Sequence, residues 1–328
     1  MLNFNPFSEY SVTNYKQYKQ VPFLETKCIK ELKKMIEGQI RDNFKFPQRH
    51  LILGERGLGK SSTIFFIRDI LEKSNKLNIF VFSRLISGME EFKNETGVEF
   101  NEISKEKMVM LIDFPDTIIR SNFIRFLDFV WLLMTHKNYE NINLIFSLNI
   151  SHYEYSDGIS EVLGKFFPQR MDRMDFEETC ALIKERLIMA GDVSFFDDDV
   201  YDLIFEYSKG IPRNTICACK KLTDIYFKKN VKYKEAKKIL REDYSDQIIN
   251  DRVEDHQERI ILKNVYNLIK NDFGGMVLKQ ADLINKAKET VYIGRDKLRK
   301  YLKKLNEYGL INIKWGGENN SSKIIKIK

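Results

Sequence analysis

The chain has 328 residues, of which 43% are hydrophobic, 31% charged and 12% aromatic, with only 6 prolines. That is enough apolar material for two or three domains with cores of their own, and it excludes a disordered tail protein. Of the net charge of +7, residues 252–328 contribute +8 (17 Lys+Arg against 9 Asp+Glu), which leaves the preceding residues at −1.

A neutral body with a basic C-terminal module points to a polyanionic partner, most simply double-stranded DNA. No membrane association is expected. The most apolar window, Phe126 to Met134, falls far short of the roughly 18 residues of a span and is interrupted by Asp128. Met1 to Pro6 lacks the basic-then-apolar order of an export signal. Cys28, Cys180, Cys217 and Cys219 form no Cys-x-x-Cys pair, as expected of free thiols in a reducing compartment. The expected location is therefore cytoplasmic, on the nucleoid in a prokaryote. His50, His136, His152 and His256 lack ligand spacing, so no metal site beyond Mg²⁺ is expected.

In chain order, residues 1–23 form an arm rich in Asn, Tyr, Lys and Ser with no clear period. Ile29, Leu32, Ile36 and Ile40 recur at helical spacing. His50 to Gly54 is a short buried strand entering a glycine turn, Thr63 to Glu72 a buried helix, and Leu77 to Phe82 a second strand. Lys107 to Asp113 is a third strand. A helical run from Ile118 to Met134 leads to a fourth at Ile142 to Leu148. Strands nearly continuous in apolar residues, alternating with helices, predict an α/β parallel sheet covered on both faces over residues 24–173. Beyond Arg170 the strand signals stop. Phe176, Cys180, Ile183 and Leu187 lie on one helical face, and segments 196–207, 212–227 and 233–241 continue an all-helical domain over 174–251.

Gly54-Glu55-Arg56-Gly57-Leu58-Gly59-Lys60-Ser61 fits G-x-x-x-x-G-K-[ST], between a strand and a helix. Glycines let the backbone amides line an anion cradle at the helix N-terminus. Lys60 is expected to reach the β- and γ-phosphates of ATP and the Ser61 hydroxyl to hold Mg²⁺, with Ser62 following in the same turn. Asp113, closing an apolar strand, is the expected second metal carboxylate.

With these motifs the chain resembles the AAA+ ATPases, and most of all the initiator group of archaeal and eukaryotic origin-recognition and replication-licensing proteins. The resemblance implies a P-loop sheet domain, a helical lid and a C-terminal winged helix. It also implies ATP and ADP as ligands and a role in DNA replication. It makes Asn149 a sensor closing the fourth strand and Arg213, after Gly210-Ile211-Pro212, a lid sensor aimed at the γ-phosphate. Arg170 or Arg173, with Arg170 preferred, would be a finger offered to a neighbouring copy in self-association. One position departs from the pattern. Phe114 stands where the group carries the glutamate that activates water, which removes a contribution of about 10²–10⁴-fold. Asp116 is the substitute candidate, and slow hydrolysis is expected.

From Glu258 the sequence reads as a winged helix over 252–328. A helix marked by Ile260, Val265 and Leu268 ends at Asn271 to Gly275, a second runs from Leu278 to Ala287, and a third opens at Thr290 or Gly294. In the third, Leu298, Tyr301, Leu302 and Leu305 face inward. Strands Leu310 to Trp315 and Ser322 to Ile327 flank a Gly316-to-Ser321 wing. Arg295, Lys297, Arg299, Lys300, Lys303 and, beside the wing, Lys323 are the candidate DNA contacts. Two other readings stand beside this one: a signalling or defence NTPase whose winged helix docks proteins, and a transposition-regulator ATPase that coats DNA.

Overall fold

The central strand is β1 (Arg49–Gly54), buried along almost its whole length. A computed structural model of the chain describes residues 2–8, 14–74, 77–84, 86, 88–98, 107–114, 120–135, 141–154, 160–227, 230–253, 255–316 and 322–327. Before β1 lie α1 (Tyr15–Gln20) and α2 (Lys27–Arg41). After it come α3 (Lys60–Glu72), β2 (Asn78–Phe82), α4 (Met89–Thr96), β3 (Met108–Asp113), α5 (Arg120–Thr135), β4 (Ile142–Asn149), α6 (Ile150–Glu154), α7 (Ser160–Leu163) and β5 (Phe167–Arg170). The five strands are parallel, in the order β2-β3-β4-β1-β5.

Both faces of this sheet are covered, and the period of two along each strand divides the side chains between them. Leu51, Leu53, Met108, Met110, Ile112, Leu144, Phe146 and Leu148 enter one core with α5. Ile52, Val109, Leu111 and Ile145 enter the other, with α2 and α3. This is why the sequence shows unbroken apolar runs there. By contrast β5 is a short, largely exposed edge, made a strand by its bonding to β1.

Residues 2–8 and 14–26 are packed, which an absent period does not reveal. Phe7 is buried against Phe196, the Asn3 amide donates to Ala190 O at 2.9 Å, and Tyr18 and Phe23 pack on Phe65 and Phe66 of α3. Isolated aromatics in a polar segment anchor it through ring contacts rather than a repeating face.

The helical part of this unit comprises α8 (Phe176–Ala190), α9 (Asp198–Ser208) and α10 (Pro212–Tyr226). Asp175 and Glu178 form a capping box that starts α8, and Pro212 fits the first turn of α10, where its missing N–H costs nothing.

The chain divides into two compact units, Met1–Ala236 and Lys237–Lys328, within α11 (Tyr233–Arg252). The second unit holds α12 (His256–Asn271), β6 (Met276–Val277), α13 (Gln280–Thr290), α14 (Arg295–Glu307), β7 (Ile311–Gly316) and β8 (Ser322–Ile327). Helix, strand, helix, helix, strand, strand is the winged-helix order. The antiparallel sheet runs β6-β8-β7. Its core gathers Leu298, Tyr301, Leu302 and Leu305 of α14 with Ile249 and Val253 from before α12. The wing residues 317–321 lie outside the described residues. Among those described, no helix is long and apolar enough to cross a membrane.

Candidate nucleotide site

The turn after β1 is shaped by two left-handed glycines, Gly57 at φ 88° and Gly59 at φ 92°, a conformation that carries a steric penalty for other residues. A Cβ on Gly59 would meet nothing within 4 Å, so the loop backbone faces open space there. Gly59 caps α3, placing the free amides of that helix behind the loop. Lys60 is 6% exposed, and its Nζ donates to Glu55 O at 3.0 Å, which holds the ammonium within the turn. This cradle, with its lysine and the following Ser61, fits a phosphate group.

Asp113 closes β3, and its carboxylate is held by a hydroxyl on the adjacent strand. Ser147 Oγ donates to Asp113 Oδ1 at 2.7 Å and accepts the Phe114 amide at 3.3 Å. Strand register makes this possible, since Asp113 lies opposite Ser147 in the β3–β4 pairing. Phe114 is 4% exposed and its ring meets Phe123, Phe126 and Phe146 edge-on.

A cavity of about 370 Å³ joins these parts. Its lining includes Gly57, Leu58, Gly59, Lys60, Ser61, Ser62, Asp113 and Phe114, together with Tyr18, Val21, Pro22, Phe23 and Leu24. Arg186 of α8 and Arg213 of α10 also line it, so the lining holds three cationic side chains and one carboxylate. The result is a mostly apolar slot with an excess of positive charge.

No family model and no curated protein sequence matches this chain. Solved structures do match in fold. ORC1 of Aeropyrum pernix, solved in complex with DNA, superposes with a TM-score of 0.56 at 13% identity, over 98% of this chain and 93% of that one. ORC2 of the same organism, in ADPNP-ADP complexes, gives 0.54 at 12% identity over 100% and 94%. Cdc6p of Pyrobaculum aerophilum gives 0.50 at 14% identity over 98% and 93%. This is the fold of the AAA+ initiators. Helices α8 to α10 follow the sheet where the resemblance implies a lid.

Arg213 lies in the first turn of α10, and its backbone amide donates to Gly57 O at 3.2 Å. Asn149 pairs with Gly54 across β4 and β1. Its Oδ1 accepts from the Ser151 amide at 3.2 Å and the Ser151 hydroxyl at 3.1 Å, starting α6. Gly54, Glu55, Arg56, Asn149 and Arg170 do not line the cavity. Arg170 is exposed at the end of β5, where its carbonyl accepts the Cys28 thiol at 3.0 Å. Arg173 pairs with Glu55 of the loop at 2.7 Å. Asp116 lies outside the described residues.

The sequence reading missed the wall formed by Tyr18 to Leu24 and missed Arg186. Arg186 is 3% exposed, donates from Nη1 to Pro6 O at 3.1 Å, and lies near Cys219, whose thiol is pushed up by burial against the pull of that guanidinium. A helical face that places an arginine four residues after Leu182 was the available signal.

In the winged-helix unit Arg295, Lys297, Arg299, Lys300 and Lys303 are exposed on α14. Lys304 instead pairs with Glu258 at 2.8 Å. Lys323 is in β8, with its side chain outside the described residues.

Proposed function

We propose that this chain is an ATP-binding, DNA-binding protein of the replication-initiator type, in which nucleotide state governs how the winged helix engages a duplex and hydrolysis is slow. The observation that carries this reading is the bond from Arg213 N to Gly57 O. Through it the lid rests on the same turn whose amides face the phosphate site, so occupation of the turn and position of the lid are linked. A ligand that contacts both shifts the population toward the closed form.

The loop amides and Lys60 would bind the phosphates. Ser61 and the Ser147-held Asp113 would hold Mg²⁺, whose charge offsets that of the triphosphate. Arg213 would reach the γ-phosphate from the lid, and Asn149 would act from the end of β4. Slow turnover follows from Phe114. A phenyl ring accepts no proton, and this one is packed among three others, which leaves Asp116 as the candidate base. Arg170, exposed and outside the cavity, is the finger for a neighbouring copy, while Arg173 is engaged by its own loop through Glu55.

On the second unit, the exposed cations of α14 and Lys323 would neutralise backbone phosphates, for which the net +8 of residues 252–328 supplies the field. The test is duplex binding by the full chain with ATP or ADP at rising salt, for wild type and Lys60→Ala. Wild type should show a linear fall of log affinity with log salt and a difference between nucleotides, and Lys60→Ala should lose that difference. Identical behaviour of the two proteins would sink the switch. Turnover of many ATP per second, unaffected by Asp116→Asn, would sink slow hydrolysis.

A further inference from the structure

The turn between α13 and α14 holds a side chain that the fold does not use. After Thr290 the backbone folds back so that the amides of Val291 and Ile293 both reach Ala287 O, at 3.0 and 3.4 Å. Ile293 is buried in the winged-helix core. Between them Tyr292 takes φ 57°, the left-handed conformation in which helix ends favour glycine or asparagine. Its side chain is 88% exposed, the highest value among the exposed large hydrophobic residues described.

The other non-glycine residues at positive φ have visible compensation. Phe44, at φ 46°, is 1% exposed, so burial offsets its backbone. Asn43 is of a type that tolerates the conformation, and Lys209 closes α9 with an unbranched polar chain. Tyr292 has neither burial nor tolerance, since a glycine would serve the turn better and a ring in water gains nothing. An outlier of this kind at a surface points to a partner that uses the side chain.

The neighbouring surface indicates which partner. Tyr292 lies two residues before the Gly294 cap of α14, whose exposed face carries Arg295, Lys297, Arg299, Lys300 and Lys303. Asp296, 4.0 Å from Arg299, and Glu307, 3.7 Å from Lys303, offset this in part. We propose that Tyr292 is a contact residue for double-stranded DNA, with its ring laid on the sugar–phosphate backbone and its hydroxyl donating to a phosphate oxygen beside the cations of α14. The inference rests on the DNA-binding reading above and names a residue that charge alone does not.

The test uses the full chain and a fluorescein-labelled duplex of mixed sequence, read by anisotropy across a salt series for wild type, Tyr292→Gly and Tyr292→Phe. Tyr292→Gly should unfold at a higher urea concentration, because the turn is relieved, and yet bind the duplex about tenfold more weakly, equivalent to about 1.4 kcal/mol. The salt slope should not change, since no charge is removed. Tyr292→Phe should fall between the two. If Tyr292→Gly binds as tightly as wild type while wild type binds well, the surface serves something else, such as a protein, and this inference is overturned while the DNA reading stands. If wild type binds no duplex, the DNA reading itself fails and takes this one with it.

Discussion

The amide of Arg213 and the carbonyl of Gly57 are hydrogen-bonded at 3.2 Å, so the first turn of α10 sits on the glycine loop after β1. A Cβ on Gly57 would lie 3.1 Å from both Arg213 Cβ and Ile211 Cγ2. Gly57→Ala should therefore cost about 1–2 kcal/mol from the left-handed backbone alone, and in addition push the lid from the loop. Gly59→Ala has the same backbone cost with open space around the new methyl. Labelled-ATP titration and urea melts should show both variants weakened in nucleotide binding and Gly57→Ala the less stable of the two. Equal stability would mean that the lid contact contributes nothing.

Ser147 is fully buried and serves two groups, Asp113 Oδ1 and the Phe114 amide. Ser147→Ala leaves that amide without its partner, a loss of about 1–3 kcal/mol in stability. It also removes the hydroxyl that holds Asp113 Oδ1. Affinity for Mg²⁺-nucleotide should fall about tenfold or more, with a smaller change for nucleotide in EDTA. Isothermal titration with and without Mg²⁺ separates the two effects, and an equal loss in both would remove Ser147 from any role at the metal.

Phe114→Glu does not recreate a working base. The side chain points among Phe123, Phe126 and Phe146, where a carboxylate lacks partners and costs several kcal/mol or becomes protonated. We expect a lower melting temperature and ATP turnover no faster than wild type. Phe114 also borders the cavity, so a stable variant with rapid turnover would show that a carboxylate at position 114 turns to the nucleotide instead of the phenylalanine cluster.

His50, 2% exposed in β1, is held neutral by burial, which lowers its pKa to about 4. Its Nε2 lies 2.8 Å from Gln39 Nε2. In the unfolded chain the ring titrates near 6.5, so the unfolded state binds the extra proton first as pH falls. Stability should be full above that value, decline toward pH 4 and then level off, with a loss of about 2 kcal/mol between pH 8 and pH 5 from this group. Urea midpoints across that window should flatten in His50→Gln. An unchanged slope would assign the pH dependence elsewhere.

The sequence by itself determined the glycine loop between β1 and α3, because its glycines act through local backbone geometry. It determined β1, β3 and β4, because strands buried on both faces must be apolar throughout, and it determined the inward face of α14, because helical period is a local property. Only the tertiary structure decided what depends on register and on distant partners. It paired Ser147 with Asp113, laid Arg213 on Gly57, and made β5 a strand through the backbone of β1. It brought Tyr18, Val21 to Leu24 and Arg186 to the cavity beside the glycine loop, and it turned Tyr292 outward on a left-handed turn fixed by Ala287 O and by the burial of Ile293. Most of these are set by contacts between segments distant in sequence, since burial and pairing are decided by where the chain returns in space.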